Sequence, residues 1–265
     1  NESLYAAGVH GLVPCGTTGE SPTLRPQERI GLIERAVKVS KRLGKQVIAG
    51  CGSNCTETAL NLCREAKELG VDAALLVTPY YNRPTMNGVI AHFVYLAERS
   101  PLPIVLYNVP CRTNVNLTVD AVKVLFEHPN IVGIKEASGQ HAQWLGIAHS
   151  CNLREKSLLS GDDDAFATIL AMGGSGIISA TANVAPKTFV EIYDAAKAGQ
   201  WGAAHCKQSS LVPLVRAMFV ETNPTPVKYA LKQLGQMESD SVRLPLIGLS
   251  ESAQLQVKQT LGACK

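Results

Sequence analysis

The sequence lacks the features that would assign it to a nucleic-acid-binding or membrane class. Its net charge is only +3 over 265 residues, and no block of like charges occurs, so neither nucleic acid nor a membrane surface is an expected partner. No apolar run reaches the roughly 18 residues needed to cross a bilayer, and no signal peptide is recognisable at the first residue. With 46% hydrophobic residues, the chain can form one large core or two modest ones.

Metal-binding patterns are also lacking. The cysteines form no Cys-x-x-Cys pair, and no histidine completes a zinc pattern near the cluster Cys51, Cys55 and Cys63. We interpret the cysteines as reduced thiols of a cytoplasmic protein that serve as small apolar residues. The run Asp162-Asp163-Asp164 is more typical of a helix cap on Asp163 or Asp164 than of a divalent-metal site. The eight cysteines are at positions 15, 51, 55, 63, 111, 151, 206 and 264.

What the sequence does contain is a repeated unit of about 30 residues, in which a short apolar run leads through a polar loop into a helical stretch. The predicted strands are Gly11–Cys15, Gln46–Gly50, Ala73–Thr78, Ile104–Val109, Ile131–Lys135, Ser157–Gly161 and Gly176–Ala180. The predicted helices between them include Pro26–Leu43, Thr56–Leu69, Met86–Arg99, Thr118–Glu127 and Asp163–Met172. Strands that alternate with helices predict a parallel sheet.

Seven such units favour a (β/α)₈ TIM barrel whose first strand is absent from the chain, since Asn1–Gly8 resembles the back half of a helix that precedes a strand. The alternative is an open doubly wound sheet, but no Gly-x-Gly-x-x-Gly follows any predicted strand. We therefore predict a barrel over residues 1–198, ending in a helix that reaches about Ala198. Residues 199–265 are predicted to form a helical extension, with helices at Trp201–Val220, Pro226–Leu234 and Ser250–Leu261.

The unusual polar residues lie where predicted strands end, and in a barrel these ends meet on the face that carries the active site. Lys135 ends a fully buried strand, and a free amine on a rigid strand is what Schiff-base chemistry requires. On the strand alone, a lysine whose side chain reaches solvent is the more common case, and the other motifs reverse this interpretation. Tyr107 could be a core tyrosine or part of a proton relay. Arg112 could be a surface residue or a carboxylate ligand, and the turn Gly16–Glu20 could bind a carboxylate.

Together these motifs resemble the dihydrodipicolinate synthase / N-acetylneuraminate lyase family of class I aldolase-like barrels, and the resemblance runs the length of the chain. The motifs that carry it are Gly16-Thr17-Thr18-Gly19-Glu20-Ser21, Thr78-Pro79-Tyr80-Tyr81-Asn82-Arg83-Pro84, Tyr107-Asn108-Val109-Pro110-Cys111-Arg112-Thr113, Gly133-Ile134-Lys135-Glu136-Ala137, Ser160-Gly161-Asp162-Asp163 and Asn223-Pro224-Thr225-Pro226-Val227-Lys228.

Within this family, Arg112 implies a condensation of pyruvate with L-aspartate 4-semialdehyde to 4-hydroxy-tetrahydrodipicolinate, in lysine and diaminopimelate biosynthesis. The resemblance implies that Lys135 forms the imine with pyruvate and that Arg112 binds the carboxylate of the aldehyde. It also implies that Tyr107, Thr17 and Tyr81 form a proton relay.

The resemblance further implies that Thr18 holds the pyruvate carboxylate and that Gly161 and Ile178 line the pocket. No metal or organic cofactor is expected. Tyr81 would reach into a neighbouring subunit, which implies an obligate homodimer, usually paired into a tetramer.

Feedback inhibition by lysine is expected to be weak or absent. Asn54 and Tyr80 match positions of the family's lysine site. However, Arg29 lies in the helix where lysine-sensitive enterobacterial members carry histidines. Thr58 stands where an acidic residue usually holds the lysine amine, with Glu57 one residue away.

Two other functions remain open on the sequence. One is a related pyruvate-dependent aldolase, such as an N-acetylneuraminate or keto-deoxy-sugar lyase, which Arg112 argues against. The other is a catalytically silent barrel that binds a keto acid, which the joint presence of Lys135, Tyr107 and Thr17 argues against. A pyruvate adduct on the lysine would separate the enzymes from the silent barrel, and substrate assays would separate the two enzymes.

Overall fold

The computed structural model describes residues 2–263 and contains a curled sheet of seven parallel strands. Each strand pairs with the next along the chain, in the order β1 to β7. This order confirms the barrel and excludes the doubly wound sheet, whose strand order reverses at a switch point. The strands are β1 Gly11–Leu12, β2 Gln46–Gly50, β3 Ala73–Val77, β4 Ile104–Asn108, β5 Ile131–Glu136, β6 Ser157–Ser160 and β7 Gly176–Ile177.

The helices follow the strands as the sequence predicts, and most predicted ends agree with the structure to within two residues. Two further helices, α5 and α7, occupy the intervals after β4 and β5. The helices are α1 Glu2–Ala6, α2 Pro26–Arg42, α3 Thr56–Glu68, α4 Met86–Arg99, α5 Pro110–Thr113, α6 Val119–Phe126, α7 His141–Ser150, α8 Phe166–Ala171, α9 Pro186–Lys197, α10 Trp201–Met218, α11 Thr225–Gln233 and α12 Glu251–Ala263. No described helix is long and apolar enough to cross a membrane.

The predictions for β1 and β7 were too long by three residues each. Within residues 2–263, each of these strands has a hydrogen-bonded neighbour on one side only. Beyond Leu12 the chain still contacts β2, since the Gly50 amide donates to the Pro14 carbonyl at 3.0 Å, and Cys15 then turns the chain with a left-handed φ of 58°. The predicted helix Asp163–Met172 is likewise divided, into a 3-10 turn at Asp163–Ala165 and α8.

Side chains alternate between the two sides of the sheet, and this alternation places the site. Leu106 and Ile134 belong to the large core between the sheet and the outer helices. Val105 and Tyr107 belong to a smaller apolar cluster inside the barrel. Because successive residues of a strand point to opposite faces, Lys135 faces the barrel interior together with Tyr107.

The C-terminal extension packs against the last barrel helices. One buried cluster joins Phe166 of α8 and Ile192 of α9 to Leu214 of α10, Tyr229 of α11 and Val257 of α12. The division between residues 198 and 199 falls between α9 and α10 and stays a prediction. The seven described cysteines are unpaired. Cys264 and the last residues of the predicted extension lie outside the described residues.

Candidate active site

Lys135 lies against the ring of Tyr107 at the carboxyl ends of β4 and β5. The two residues are partners in the strand register, and the Lys135 Nζ is 4.2 Å from the Tyr107 ring centroid. Only 9% of Lys135 and 8% of Tyr107 is exposed. The amine is thus held against an aromatic face, with little freedom to leave the barrel interior.

The absence of a side chain at Gly161 leaves space for the Lys135 side chain. A Cβ on Gly161 would lie 2.5 Å from the Ala137 Cβ, closer than real carbon contacts allow, and 3.0 Å from the Lys135 Cε, which is also tight. The Gly161 amide donates to the Glu136 carbonyl at 2.7 Å, which fixes the close approach. A larger residue at this position would therefore clash with Ala137 and crowd the Lys135 side chain.

The loop Gly16–Glu20 forms a second wall of the same cavity. Thr17 and Thr18 line this cavity together with Lys135. Left-handed φ angles of 58° at Cys15 and 52° at Glu20 bound the loop on both sides. The loop is held from outside the barrel, because Asn223 donates through Nδ2 to the Thr18 hydroxyl at 3.0 Å.

Arg112 lies at the mouth of the cavity on the short helix α5. Thr113 anchors this helix, since its hydroxyl accepts a hydrogen bond from the Thr78 hydroxyl at 3.2 Å and is itself buried. The Arg112 guanidinium is exposed and makes no ion pair or hydrogen bond with any residue from 2 to 263. An anion that enters the cavity can therefore find an unpaired arginine fork.

A buried polar network stiffens the strand ends that carry Lys135 and Tyr107. The fully buried Glu136 carboxylate accepts hydrogen bonds from the side-chain amides of Asn108 and Gln143, at 3.0 Å and 2.9 Å, and from the Ser138 amide at 2.8 Å. Burial raises the pKa of Glu136, while these hydrogen bonds act to lower it. The network joins β4, β5 and α7 directly behind the lysine. No pattern in the sequence indicated a role for Glu136.

The acidic run after β6 does not cap α8 as predicted. Asp163 is 2% exposed and accepts a hydrogen bond through Oδ2 from the Thr181 amide at 2.8 Å, so it joins β6 to the loop after β7. The helix cap is supplied instead by Gln208 of α10, whose Oε1 accepts from the Ala167 amide at 3.0 Å. Asp162 accepts from the Gly139 amide at 3.0 Å.

Asp162 makes the folded state sensitive to pH. Burial, together with nearby carboxylates, raises its pKa to about 6, against the opposing hydrogen bond from Gly139. A raised carboxyl pKa means that the folded state binds the proton more tightly than the unfolded state. Stability is therefore lost as the pH rises from about 4 to about 6.

We expect Asp162→Asn to raise the free energy of unfolding above pH 6 by about 1 kcal/mol, a modest value because solvent partly screens the group. Asparagine keeps the acceptor for Gly139 and removes the charge. The gain should shrink as the pH is lowered through 5 and vanish near pH 4, as measured by urea unfolding at several pH values. An equal gain at pH 4 and pH 8 would contradict this account.

Of the two remaining predicted site residues, Ile178 lies in the cavity and Tyr81 lies outside it. Ile178 lines the cavity just after β7, and its amide donates to the Ser160 carbonyl at 3.0 Å. Tyr81 is not part of this cavity. It is 89% exposed on a loop with a left-handed φ of 71°. Seven of the eight predicted site residues thus line one cavity. They are Thr17, Thr18, Tyr107, Arg112, Lys135, Gly161 and Ile178.

A parallel β/α barrel with polar side chains gathered at the carboxyl ends of its strands is the architecture of a barrel enzyme. The sequence model of the dihydrodipicolinate synthetase family matches residues 2–264. The chain belongs to this family and is an enzyme. It is 49% identical over 261 residues to the 4-hydroxy-tetrahydrodipicolinate synthase of Methanoculleus marisnigri, covering 98% of this chain and 88% of that protein.

Solved structures of the same family superpose closely. A chloride-inhibited dihydrodipicolinate synthase from Acinetobacter baumannii, complexed with pyruvate, is 39% identical with a TM-score of 0.95, covering 98% of this chain and 89% of that one. A dihydrodipicolinate synthase from Cyanidioschyzon merolae with lysine bound is 36% identical with a TM-score of 0.93, covering 98% and 88%. These likenesses confirm the family and the barrel fold predicted from the sequence.

Proposed function

We propose that this enzyme condenses pyruvate with L-aspartate 4-semialdehyde to give 4-hydroxy-tetrahydrodipicolinate through an imine on Lys135. The observation that carries the proposal is the buried Lys135 amine, 4.2 Å from the Tyr107 ring centroid, in a cavity that also contains Thr18 and Arg112. The named relatives support the same reaction.

In the proposed mechanism, the Lys135 amine adds to the pyruvate ketone, and water leaves to form the imine. Loss of a methyl proton gives an enamine, whose carbon attacks the aldehyde carbon of the second substrate. The resulting alkoxide takes up a proton. The substrate amine then attacks the imine carbon, which closes the ring and releases Lys135 as a free amine. The lysine imine is itself the electron sink, so the reaction requires no metal or organic cofactor.

The other residues have distinct proposed roles. Thr18 and nearby backbone amides hold the pyruvate carboxylate, while Gly161 and Ile178 shape the pocket around the methyl and imine carbons. Tyr107 and Thr17 move protons between the substrates and Lys135. Tyr81 would complete this relay in the site of a second subunit, as part of a homodimer that pairs into a tetramer.

Two measurements on the wild-type enzyme test the proposed function. The first is intact mass after incubation with pyruvate and borohydride, where we expect one reduced adduct per chain. The second is product formation from pyruvate and aspartate semialdehyde, with N-acetylneuraminate as the comparison substrate. No adduct on folded protein would favour a silent barrel. An adduct accompanied by cleavage of N-acetylneuraminate alone would favour a sugar-acid lyase.

We expect Arg112→Ala to raise the KM for aspartate semialdehyde about 10- to 100-fold, the scale of the roughly 1.5–3 kcal/mol of one charged hydrogen-bonding group. The KM of Arg112→Lys for aspartate semialdehyde should lie between those of the wild type and Arg112→Ala, because an ammonium keeps the charge without the planar fork. Steady-state kinetics with each substrate varied will check this. The pyruvate adduct should still form in both variants.

Arg154, exposed at the amino end of β6, provides the matched control, and Arg154→Ala should leave both KM values unchanged. A rise in the KM for pyruvate alone in Arg112→Ala would show that Arg112 binds the other substrate.

Lysine feedback is expected to be weak or absent. Arg29, buried in α2, donates to the Gly50 carbonyl at 2.7 Å, and Glu57 lies 3.7 Å from Arg64 in an ion pair. Arg29 is a cation with no acceptor, so it cannot hold a lysine ammonium, and the Glu57 carboxylate is already paired with Arg64. Initial rates should stay within about twofold of the uninhibited value at micromolar L-lysine, with D-lysine as the control. Half-maximal inhibition at micromolar L-lysine would contradict this prediction.

A further inference from the structure

The residue Asn223 connects the C-terminal extension to the substrate cavity. It precedes α11, is 6% exposed, and lines the same cavity as Lys135. Its Nδ2 donates to the Thr18 Oγ1 at 3.0 Å. Within residues 2–263, the Thr18 hydroxyl makes no other hydrogen bond to a side chain. The two residues are 205 positions apart in the sequence.

This hydrogen bond constrains the direction of the Thr18 proton. A hydroxyl has one proton to donate and two lone pairs with which to accept. Because the Asn223 amide occupies a lone pair, the Thr18 proton is directed away from Asn223 and is free for an acceptor in the cavity. A carboxylate is an acceptor only, so it can receive this proton.

The side-chain carboxamide of Asn223 is only partly hydrogen-bonded within the described residues. Its Oδ1 is buried and has no hydrogen-bond partner in the described part of the chain, which is an unfavourable arrangement for a folded protein. Within residues 2–263, the hydrogen bond that the Asn223 carboxamide makes is the one to Thr18.

A separate contact holds the backbone of the same loop. Lys228 donates through Nζ to the Glu20 Oε1 at 2.7 Å, and the Arg243 amide donates to the Glu20 Oε2 at 3.0 Å. Hydrogen bonds and the positive charges of Lys228 and Arg243 lower the pKa of Glu20, although burial alone would raise it. The extension thus fixes the loop backbone through Glu20, which leaves Asn223 to orient the hydroxyl of Thr18.

We propose that Asn223 is a positioning residue for pyruvate binding, which presents the Thr18 hydroxyl proton to the substrate carboxylate. The inference rests on the proposed function, because it assumes that a keto-acid carboxylate occupies the Thr18 side of the cavity. It assigns to the helical extension a part in substrate recognition that acts through Thr18, beyond its packing on the barrel.

The test compares Asn223→Ala with the isosteric Asn223→Asp. Removal of the amide should raise the KM for pyruvate about 3- to 10-fold, the scale of one hydrogen bond, with the KM for aspartate semialdehyde unchanged. Aspartate can only accept, so it would take the Thr18 proton and add a charge beside the substrate carboxylate. The KM for pyruvate should then rise about 30-fold or more. Asn61→Ala, on the exposed face of α3, is the matched control.

The double variant Thr18→Val/Asn223→Ala separates positioning from general stability. If Asn223 acts through Thr18, its substitution should add nothing to the effect of Thr18→Val on the KM for pyruvate. The inference would be overturned if the two substitutions multiplied each other's effect on the KM for pyruvate. Equal changes in both KM values, or wild-type kinetics in Asn223→Asp, would also overturn it. A wild-type enzyme without a pyruvate adduct would overturn both proposals, whereas a normal adduct with an unchanged KM in Asn223→Ala would overturn this one alone.

Discussion

Replacing Lys135 with alanine is expected to abolish the pyruvate adduct and to lower kcat by on the order of 10⁴-fold or more. The reason is chemical, since without the amine no imine forms and the pyruvate methyl carbon is not activated. The rest of the cavity is expected to be retained, because the hydrogen bonds of the Glu136 network do not involve the lysine. Pyruvate binding without reaction is therefore expected to persist.

Intact mass after borohydride reduction measures the adduct directly, and single-turnover kinetics measure the residual rate. Lys123→Ala is the matched control, because Lys123 is exposed on α6, outside the cavity, and its loss should leave the adduct and the rate unchanged. A full pyruvate adduct on Lys135→Ala would assign the imine to another lysine and refute the proposed mechanism.

Tyr107→Phe is expected to reduce kcat about 10²-fold or more, which is the typical contribution of a positioned acid–base group. The substitution removes the hydroxyl and keeps the ring that lies 4.2 Å from the Lys135 amine. Steric support of the lysine is thus retained while proton transfer is impaired. Because imine formation also needs proton transfer, the adduct should still form, but more slowly than in the wild type.

The time course of the reduced adduct, followed by mass, distinguishes these effects. Tyr95→Phe provides the control, because Tyr95 lies on the exposed surface of α4. A normal rate of adduct formation and a normal kcat in Tyr107→Phe would remove Tyr107 from the relay. A complete loss of the adduct would show that the hydroxyl positions the lysine rather than transferring protons.

Much of the barrel and part of the site follow from local sequence patterns. The buried run that ends at Lys135 became β5, and the run that contains Tyr107 became β4, because apolar β-rich segments of this length are buried on both faces in a parallel sheet. The strand-end positions of Arg112 and Gly161 likewise place them in the cavity. The errors at the ends of β1 and β7 have a tertiary cause, since each of these strands has one hydrogen-bonded neighbour within residues 2–263.

Local sequence patterns did not reveal the residues that support the site. Glu136 follows Lys135 directly, yet its importance depends on Asn108 and Gln143, which approach from another strand and a helix. Asp163 was predicted to cap a helix but instead joins two strand ends through Thr181. Gln208 caps α8 by accepting a hydrogen bond from the Ala167 amide, and the two residues are 41 positions apart in the sequence.

The sequence by itself determined the order of strands and helices, the lysine at the end of a buried strand, and the family. These follow from periodicity and from motifs in which every residue is close to its neighbours along the chain. Only the tertiary structure decided that Asn223 contacts Thr18 and that Lys228 contacts Glu20, over separations of 205 and 208 residues. Such contacts depend on how the helical extension packs on the barrel, and no local pattern encodes the partner of a side chain across that distance.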